Sequence, residues 1–127
     1  AEVDLEESLL YKAMACGRWD WARMLLKKGA RVQGKTKDDA RTILNLAARS
    51  ARVDLVQLVL AKGVDVNEKS TFGFTALHAA AACGDEGLEV VRLLINHGAE
   101  VNVQDEWSDT PLHKAAEHGG VEVVRLL

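Results

Sequence analysis

Proline occurs once in this 127-residue chain, and aromatic side chains are confined to three tryptophans, two phenylalanines and one tyrosine. So few ring-bearing residues, set against many alanines, leucines and valines, disfavour a strand sandwich and favour closely packed helices. Cysteine is also scarce, with only Cys16 and Cys83, which rules out a disulfide-dense secreted scaffold. No apolar run approaches the roughly 18 residues that a membrane span needs. The first residues are acidic, at Glu2, Asp4, Glu6 and Glu7, rather than a basic leader. Catalytic signatures are missing as well: no G-x-S-x-G elbow, no glycine-rich phosphate loop after a strand and no carboxylate pair with a supporting pocket. The expectation is a non-enzymatic chain with no catalytic residue, no cofactor and no membrane partner.

What is present suits one cooperative domain. Apolar residues make up 48% and charged residues 28%, as in ordinary soluble globular proteins. The net charge of −3 conceals a division, because residues 18–69 carry 12 basic and 6 acidic side chains whereas residues 70–127 carry 3 and 9. Such polarity orients a partner of matching asymmetry. It does not form the continuous basic footprint of a nucleic-acid binder.

The sequence repeats. Ser8, Thr42, Thr75 and Thr110 open the blocks SLLYKAMACG, TILNLAARSA, TALHAAAACG and TPLHKAAEHG at separations of 34, 33 and 35 residues. A second apolar block follows each, from Trp19, Val53, Leu88 and Val121. Serine or threonine at a block start can cap a helix, and Pro111 falls at a first helical position where its missing N–H costs nothing. Leu10, Leu44, Leu77 and Leu112, with the small pairs Ala47-Ala48, Ala80-Ala81 and Ala115-Ala116, permit close stacking of first helices. In the second helices, apolar residues fall three and four apart, while Arg23, Gln57, Arg92 and Arg125 recur at an outward position. Gly29, Gly63 and Gly98 end these helices in the manner of left-handed caps. Ala51 stands where Gly17, Gly84 and Gly119 stand in the other units, a site expected to need positive φ. One extra residue falls between Gly34 and Arg41, and two around Glu86 and Gly87.

Thr110-Pro111-Leu112-His113-Lys114-Ala115 matches the T-P-L-H-x-A signature at every fixed position, and Thr75-Ala76-Leu77-His78-Ala79-Ala80 lacks only the proline. Together with EVVRLL and Gly98-Ala99-Glu100-Val101-Asn102, these segments resemble the ankyrin-repeat family over nearly the whole chain. The resemblance implies an all-α solenoid of stacked helix-turn-helix units with hairpin-like loops. It divides the single domain, residues 1–127, into units at 8–41 (cap-like), 42–74, 75–109 and 110–127. The last unit stops inside its second helix, so the chain reads as a piece of a longer protein, a monomeric module within it. One helix pair cannot bury its own apolar face, and stability must come from neighbours.

The remaining residues with chemical potential have structural readings. His78 and His113 occupy the signature position for local hydrogen bonding, and His97 sits at a helix end. Cys83 and His118 are equivalent in adjacent units, with a helix spacing of about 8–10 Å that is too wide for shared zinc ligation. Cys16 and Cys83 are two units apart, beyond disulfide reach. Free thiols then point to a reduced compartment, the cytoplasm or nucleus. Trp19 and Trp21, at positions that are valine or leucine elsewhere, are expected to fill the core.

The family's partners usually meet the loop tips and the exposed side of the first helices. Carried onto this sequence, that implies a binding face of Arg41, Arg49, Thr71, Phe72, Phe74, Cys83, Glu106, Trp107, Asp109, Glu117 and His118. Phe72, Phe74 and Trp107 stand out because loop tips ordinarily favour polar residues, whereas interfaces favour aromatic anchors. The implied partner is another protein or peptide, with nucleic acid and nucleotide disfavoured. The leading role is an adaptor, targeting or scaffold module. Alternatives are a regulatory inhibitor docking on an enzyme and a small-ligand or oligonucleotide sensor. The sensor rests on Asn67-Glu68-Lys69 through Gly73-Phe74-Thr75, which resembles a loop in the ankyrin region of the oligoadenylate-dependent ribonuclease. Leu94 with Glu100-Val101-Asn102 also resembles the setting of asparagines modified by an oxygen-dependent asparaginyl hydroxylase, making Asn102 a possible hydroxylation site.

Overall fold

The computed structural model of the chain describes residues 5–29, 43–70 and 72–127, the first four of them by their backbone alone. Among these are helices α1 (Leu5–Ala15), α2 (Trp19–Lys27), α3 (Ile43–Arg49), α4 (Val53–Leu60), α5 (Ala76–Ala81), α6 (Leu88–Asn96), α7 (Pro111–Glu117) and α8 (Val121–Leu126), with a 3₁₀ turn at Gly84–Gly87. The fold is all-α, and the described residues contain no strand. First helices α1, α3, α5 and α7 stack in one row, second helices α2, α4, α6 and α8 in another, and each pair is antiparallel neighbours through a tight turn. No helix here is long and apolar enough to cross a membrane.

The small residues explain the stacking. Ala47, Ala48, Ala80, Ala81 and Ala115 are fully buried, and Leu10, Leu44 and Leu77 fill the spaces between them. From the second row, Leu55, Val56, Val59, Val90, Val91, Leu94 and Val123 close the same core. Arg23 reaches from α2 to Asp54 of α4 at 2.6 Å, tying two second helices together on the outer side.

Thr75 and Thr110 cap α5 and α7 as expected, each receiving the backbone N–H of the histidine three residues on, while that histidine's ring accepts from the threonine N–H. Ser8 does not act in this way: α1 already begins at Leu5, so Ser8 lies within the helix. Thr42 lies outside the described residues. Gly29, Gly63 and Gly98 take φ of 96°, 84° and 92°, and Ala51 adopts the left-handed conformation at 59° where the neighbouring units use glycine.

Two expectations about packing are corrected. Trp21 is not core: it is 53% exposed because Ala22 and Leu26 take the inward side of α2, and Arg18 lies over its ring at 5.8 Å. Trp19 is half-buried and does pack against the core. Leu112 is exposed, unlike its counterparts Leu44 and Leu77; among the described residues α7 has one first-helix neighbour, α5, whereas α3 and α5 are flanked on both sides.

The two-residue insertion in unit three forms the 3₁₀ turn. A Cβ on Gly87 would lie 2.2 Å from the carbonyl oxygen of Ala80, so only glycine permits this approach. Asp85 within the turn accepts from the backbone N–H groups of Glu122 at 2.9 Å and Val123 at 3.4 Å. It thereby supplies the N-terminal cap of α8, whose own leading residue, Gly120, has no side chain with which to do so.

Candidate functional site: the aromatic loops between adjacent units

The loops before α5 and α7 are built alike. Ser70 N–H donates to Phe74 O at 2.8 Å, and Asp105 N–H donates to Asp109 O at 3.0 Å, so each closes a tight turn 35 residues from the other. Glu106 N–H then donates to Phe72 O at 3.0 Å and joins the two loops side by side. Gly73 makes this possible. It takes φ of 78°, and a Cβ there would lie 3.3 Å from Asp105 Cα.

Behind the loops, buried polar side chains hold the turns to the helices. The Nε2–H of His78 donates to Asp109 O at 2.9 Å, and its Nδ1 accepts from Thr75 N–H at 3.2 Å. One ring thus fixes both the start of its own helix and the loop of the next unit. This pairing requires the neutral Nε2–H tautomer. Burial pushes the His78 pKa below its ordinary value, outweighing the Asp109 carbonyl, which acts in the opposite direction. In unit two, Asn45 holds the position of His78, and its side-chain N–H reaches Phe74 O at 3.3 Å.

Asp105 is buried and accepts through Oδ1 from Trp107 N–H at 2.8 Å and Asp109 N–H at 3.0 Å. Lys114 sits beside it, with Nζ 3.7 Å from Asp105 Oδ2 and 3.5 Å from Asp109 Oδ2. The same ammonium lies over the Phe74 ring, 5.3 Å from its centre. The repeat does not single out Asp105 or Lys114. The signal available in the sequence was an aspartate at the loop-closing place of Ser70.

The three loop aromatics come together. Phe72 and Trp107 have ring centres 5.5 Å apart, Phe74 and Trp107 5.8 Å and Phe72 and Phe74 6.4 Å. Phe74 also meets His78 edge-on at 5.9 Å. The three are nevertheless unlike. Phe74 is half-buried beneath Trp107 and Lys114, whereas Phe72 is 48% and Trp107 60% exposed. The inner ring packs the loops together and the outer two form a shelf open to solvent.

The other residues of the expected face divide as follows. Arg41 and Thr71 lie outside the described residues. Glu106 is exposed next to the shelf and Asp109 is half-buried in the Lys114 clamp. Arg49, Glu117 and His118 are exposed at the far ends of α3 and α7, where the His118 Nδ1–H donates to Lys114 O at 2.9 Å. The Cys83 thiol is half-buried and directed at the Arg49 carbonyl at 3.4 Å, and burial raises its pKa. A thiol in that state is a packing group rather than a nucleophile. Cys16 and Cys83 are both free. Asn102 is exposed. Its counterpart Asn67 is partly enclosed, donating to Gly98 O at 3.2 Å and accepting from Glu100 N–H at 2.8 Å.

Stacked helix pairs, Thr-x-x-His capping boxes and paired loop turns define a repeat scaffold whose units recognise one another through loop carbonyls. The chain belongs to the ankyrin-repeat family: the family model for ankyrin repeats (3 copies) matches residues 1–70 and 44–127. It is similar to neurogenic locus notch homolog protein 1 of Xenopus laevis, 38% identical over 61 residues that are 48% of this chain and 2% of that protein. It is likewise similar to NF-kappa-B inhibitor zeta of Homo sapiens, 39% identical over 66 residues, or 50% of this chain and 9% of that protein. The Neurogenic locus Notch protein of Drosophila melanogaster is 39% identical over 64 residues, 50% of this chain and 2% of its own length. The matched segments are small parts of these relatives. Ankyrin repeats are in general protein–protein interaction modules.

Proposed function

We propose that this chain is a protein-interaction module, of the adaptor, targeting or scaffold kind, that engages a partner protein or peptide through the loops between units two, three and four. The observation that carries this reading is the shelf of Phe72 and Trp107, two large rings 48% and 60% exposed on loops that backbone hydrogen bonds tie together. Covering the open part of Trp107, 60% of the residue, removes about 150 Å² from water and contributes roughly 3 kcal/mol before ordering costs. That is the scale of an interface hot spot, and preformed loops lose little entropy on binding. The second unit's Arg49 and the fourth's Glu117 and His118 extend the face along the ends of the first helices. Cytoplasmic or nuclear residence accords with its free thiols.

A docking inhibitor is the second reading, favoured by the similarity to a protein named as an inhibitor of NF-kappa-B. The two share the same face and differ in whether the partner's activity falls on binding.

The test is affinity capture with quantitative mass spectrometry, comparing the wild type with a Phe72→Ala, Trp107→Ala double variant. Loss of the captured partner with an unchanged thermal midpoint supports the assignment. Full retention of the partner by a folded double variant overturns it.

A further inference from the structure

Building on the proposed interaction face, we infer that the Phe72–Trp107 shelf is a cation-recognition site, and that the partner presents an arginine-bearing basic segment to it. The protein already solves the same problem internally one ring away. Lys114 places its ammonium 5.3 Å from the centre of the Phe74 ring and between the carboxylates of Asp105 and Asp109. An aromatic face backed by carboxylates is therefore a working cation holder on this loop pair.

The outer rings repeat that arrangement in the open. Trp107 and Phe72 are tilted by 41° with centres 5.5 Å apart, and both expose much of their area. Glu106 immediately precedes Trp107, exposed to solvent, and its N–H is fixed to Phe72 O at 3.0 Å. Among the described residues the cations seated over rings are Arg18 on Trp21 and Lys114 on Phe74, so the faces of Phe72 and Trp107 carry none, although Lys69 is exposed three residues before Phe72.

The wider field agrees. Residues 70–127 carry 9 acidic and 3 basic side chains. Of the three basic ones, Arg92 and Arg125 each lie beside a glutamate three residues earlier, at 3.8 and 3.5 Å, and the third is Lys114. Glu106 and Glu117 remain exposed on the partner-facing side. A basic segment is drawn to such a surface and oriented by it. Arginine suits the shelf better than lysine, because a planar guanidinium can stack on an indole while it forks to a carboxylate.

The test is an NMR titration of the folded chain with three short peptides of the same length: alternating arginine and serine, glutamine in place of arginine, and glutamate in place of arginine. The expected result is that the arginine peptide alone shifts the Trp107 indole N–H and the Phe72 and Glu106 amides at low salt. Trp107→Ala should weaken that binding about three- to tenfold. Glu106→Gln should weaken it less and flatten its salt dependence. If the glutamine peptide shifts the same residues equally, the shelf binds peptides but the cation assignment is overturned. If the arginine peptide shifts only the acidic helix ends around Glu117 and Glu122, the attraction is diffuse and the site is overturned. Absence of any shift at Trp107 with a peptide that nevertheless binds elsewhere leaves the broader interaction reading standing and removes this one.

Discussion

Replacing His78 tests the joint between units three and four. Its ring is fully enclosed and serves both Thr75 N–H and Asp109 O. His78→Ala strands a buried amide and a carbonyl, at about 1–3 kcal/mol for such groups, and opens a cavity the size of an imidazole, which adds about 1–2 kcal/mol. A total loss of roughly 2–5 kcal/mol follows, visible as a lowered urea midpoint with little change in slope. His78→Asn should recover part of it, because Asn45 already reaches the equivalent carbonyl of Phe74 from the same place in unit two.

The pH dependence adds an independent check. Burial lowers the His78 pKa in the folded state, so the unfolded chain takes up its proton first. The contribution of the neutral ring is complete above the unfolded value near 6.5 and is lost as pH falls through the folded value. Between pH 6.5 and 5.5 the wild type should therefore lose stability that His78→Asn, which cannot titrate, keeps, by at most about 1 kcal/mol. Urea unfolding of both proteins at several pH values measures this. A His78→Ala midpoint equal to wild type, or parallel pH curves for wild type and His78→Asn, would refute the role of the ring.

Other substitutions probe features nearby. Gly87→Ala forces a methyl group against the Ala80 carbonyl and should cost about 2 kcal/mol or more by thermal unfolding. Ala51→Gly relieves a left-handed alanine and should stabilise by about 0.5–1 kcal/mol, the backbone gain exceeding the added freedom of the unfolded chain. Asp85→Ala should cost about 1 kcal/mol and loosen the first turn of α8 in amide hydrogen exchange, with Asp85→Asn close to wild type. Phe74→Ala should destabilise by about 2 kcal/mol through lost packing under Trp107 and Lys114, whereas Trp107→Ala should change stability by less than about 1 kcal/mol. Equal losses for the two would erase the distinction between inner and outer rings.

Much of the scaffold was legible because its determinants are local. Threonine and histidine three residues apart make a capping box inside one turn, and glycine after an apolar helix marks a left-handed cap, so both can be read in a single unit. The legible part of the site was its aromatic content. Which ring lies inside was not, because that is decided by Lys114 reaching back over Phe74 from the next helix. Trp21 misled because apolar character alone does not say which side of α2 a residue takes when its neighbour Ala22 fits the core. Ser8 misled because the repeat period marks equivalent positions without revealing that α1 starts a turn earlier. Arg41 and Thr71 remain expectations from the repeat alone.

The cap that Asp85 provides to α8 bears on how such arrays can be rearranged. A repeat is commonly treated as a cassette, free to be exchanged or deleted as long as the period is kept. Here the residues that break the period carry the start of the following helix, and trimming unit three to regular length would remove a part belonging to unit four. A swap made at the threonine boundaries would leave α8 beginning at a glycine with no carboxylate before it. The cut that preserves function in this segment has to run elsewhere, with the 3₁₀ turn travelling together with the helix that it starts.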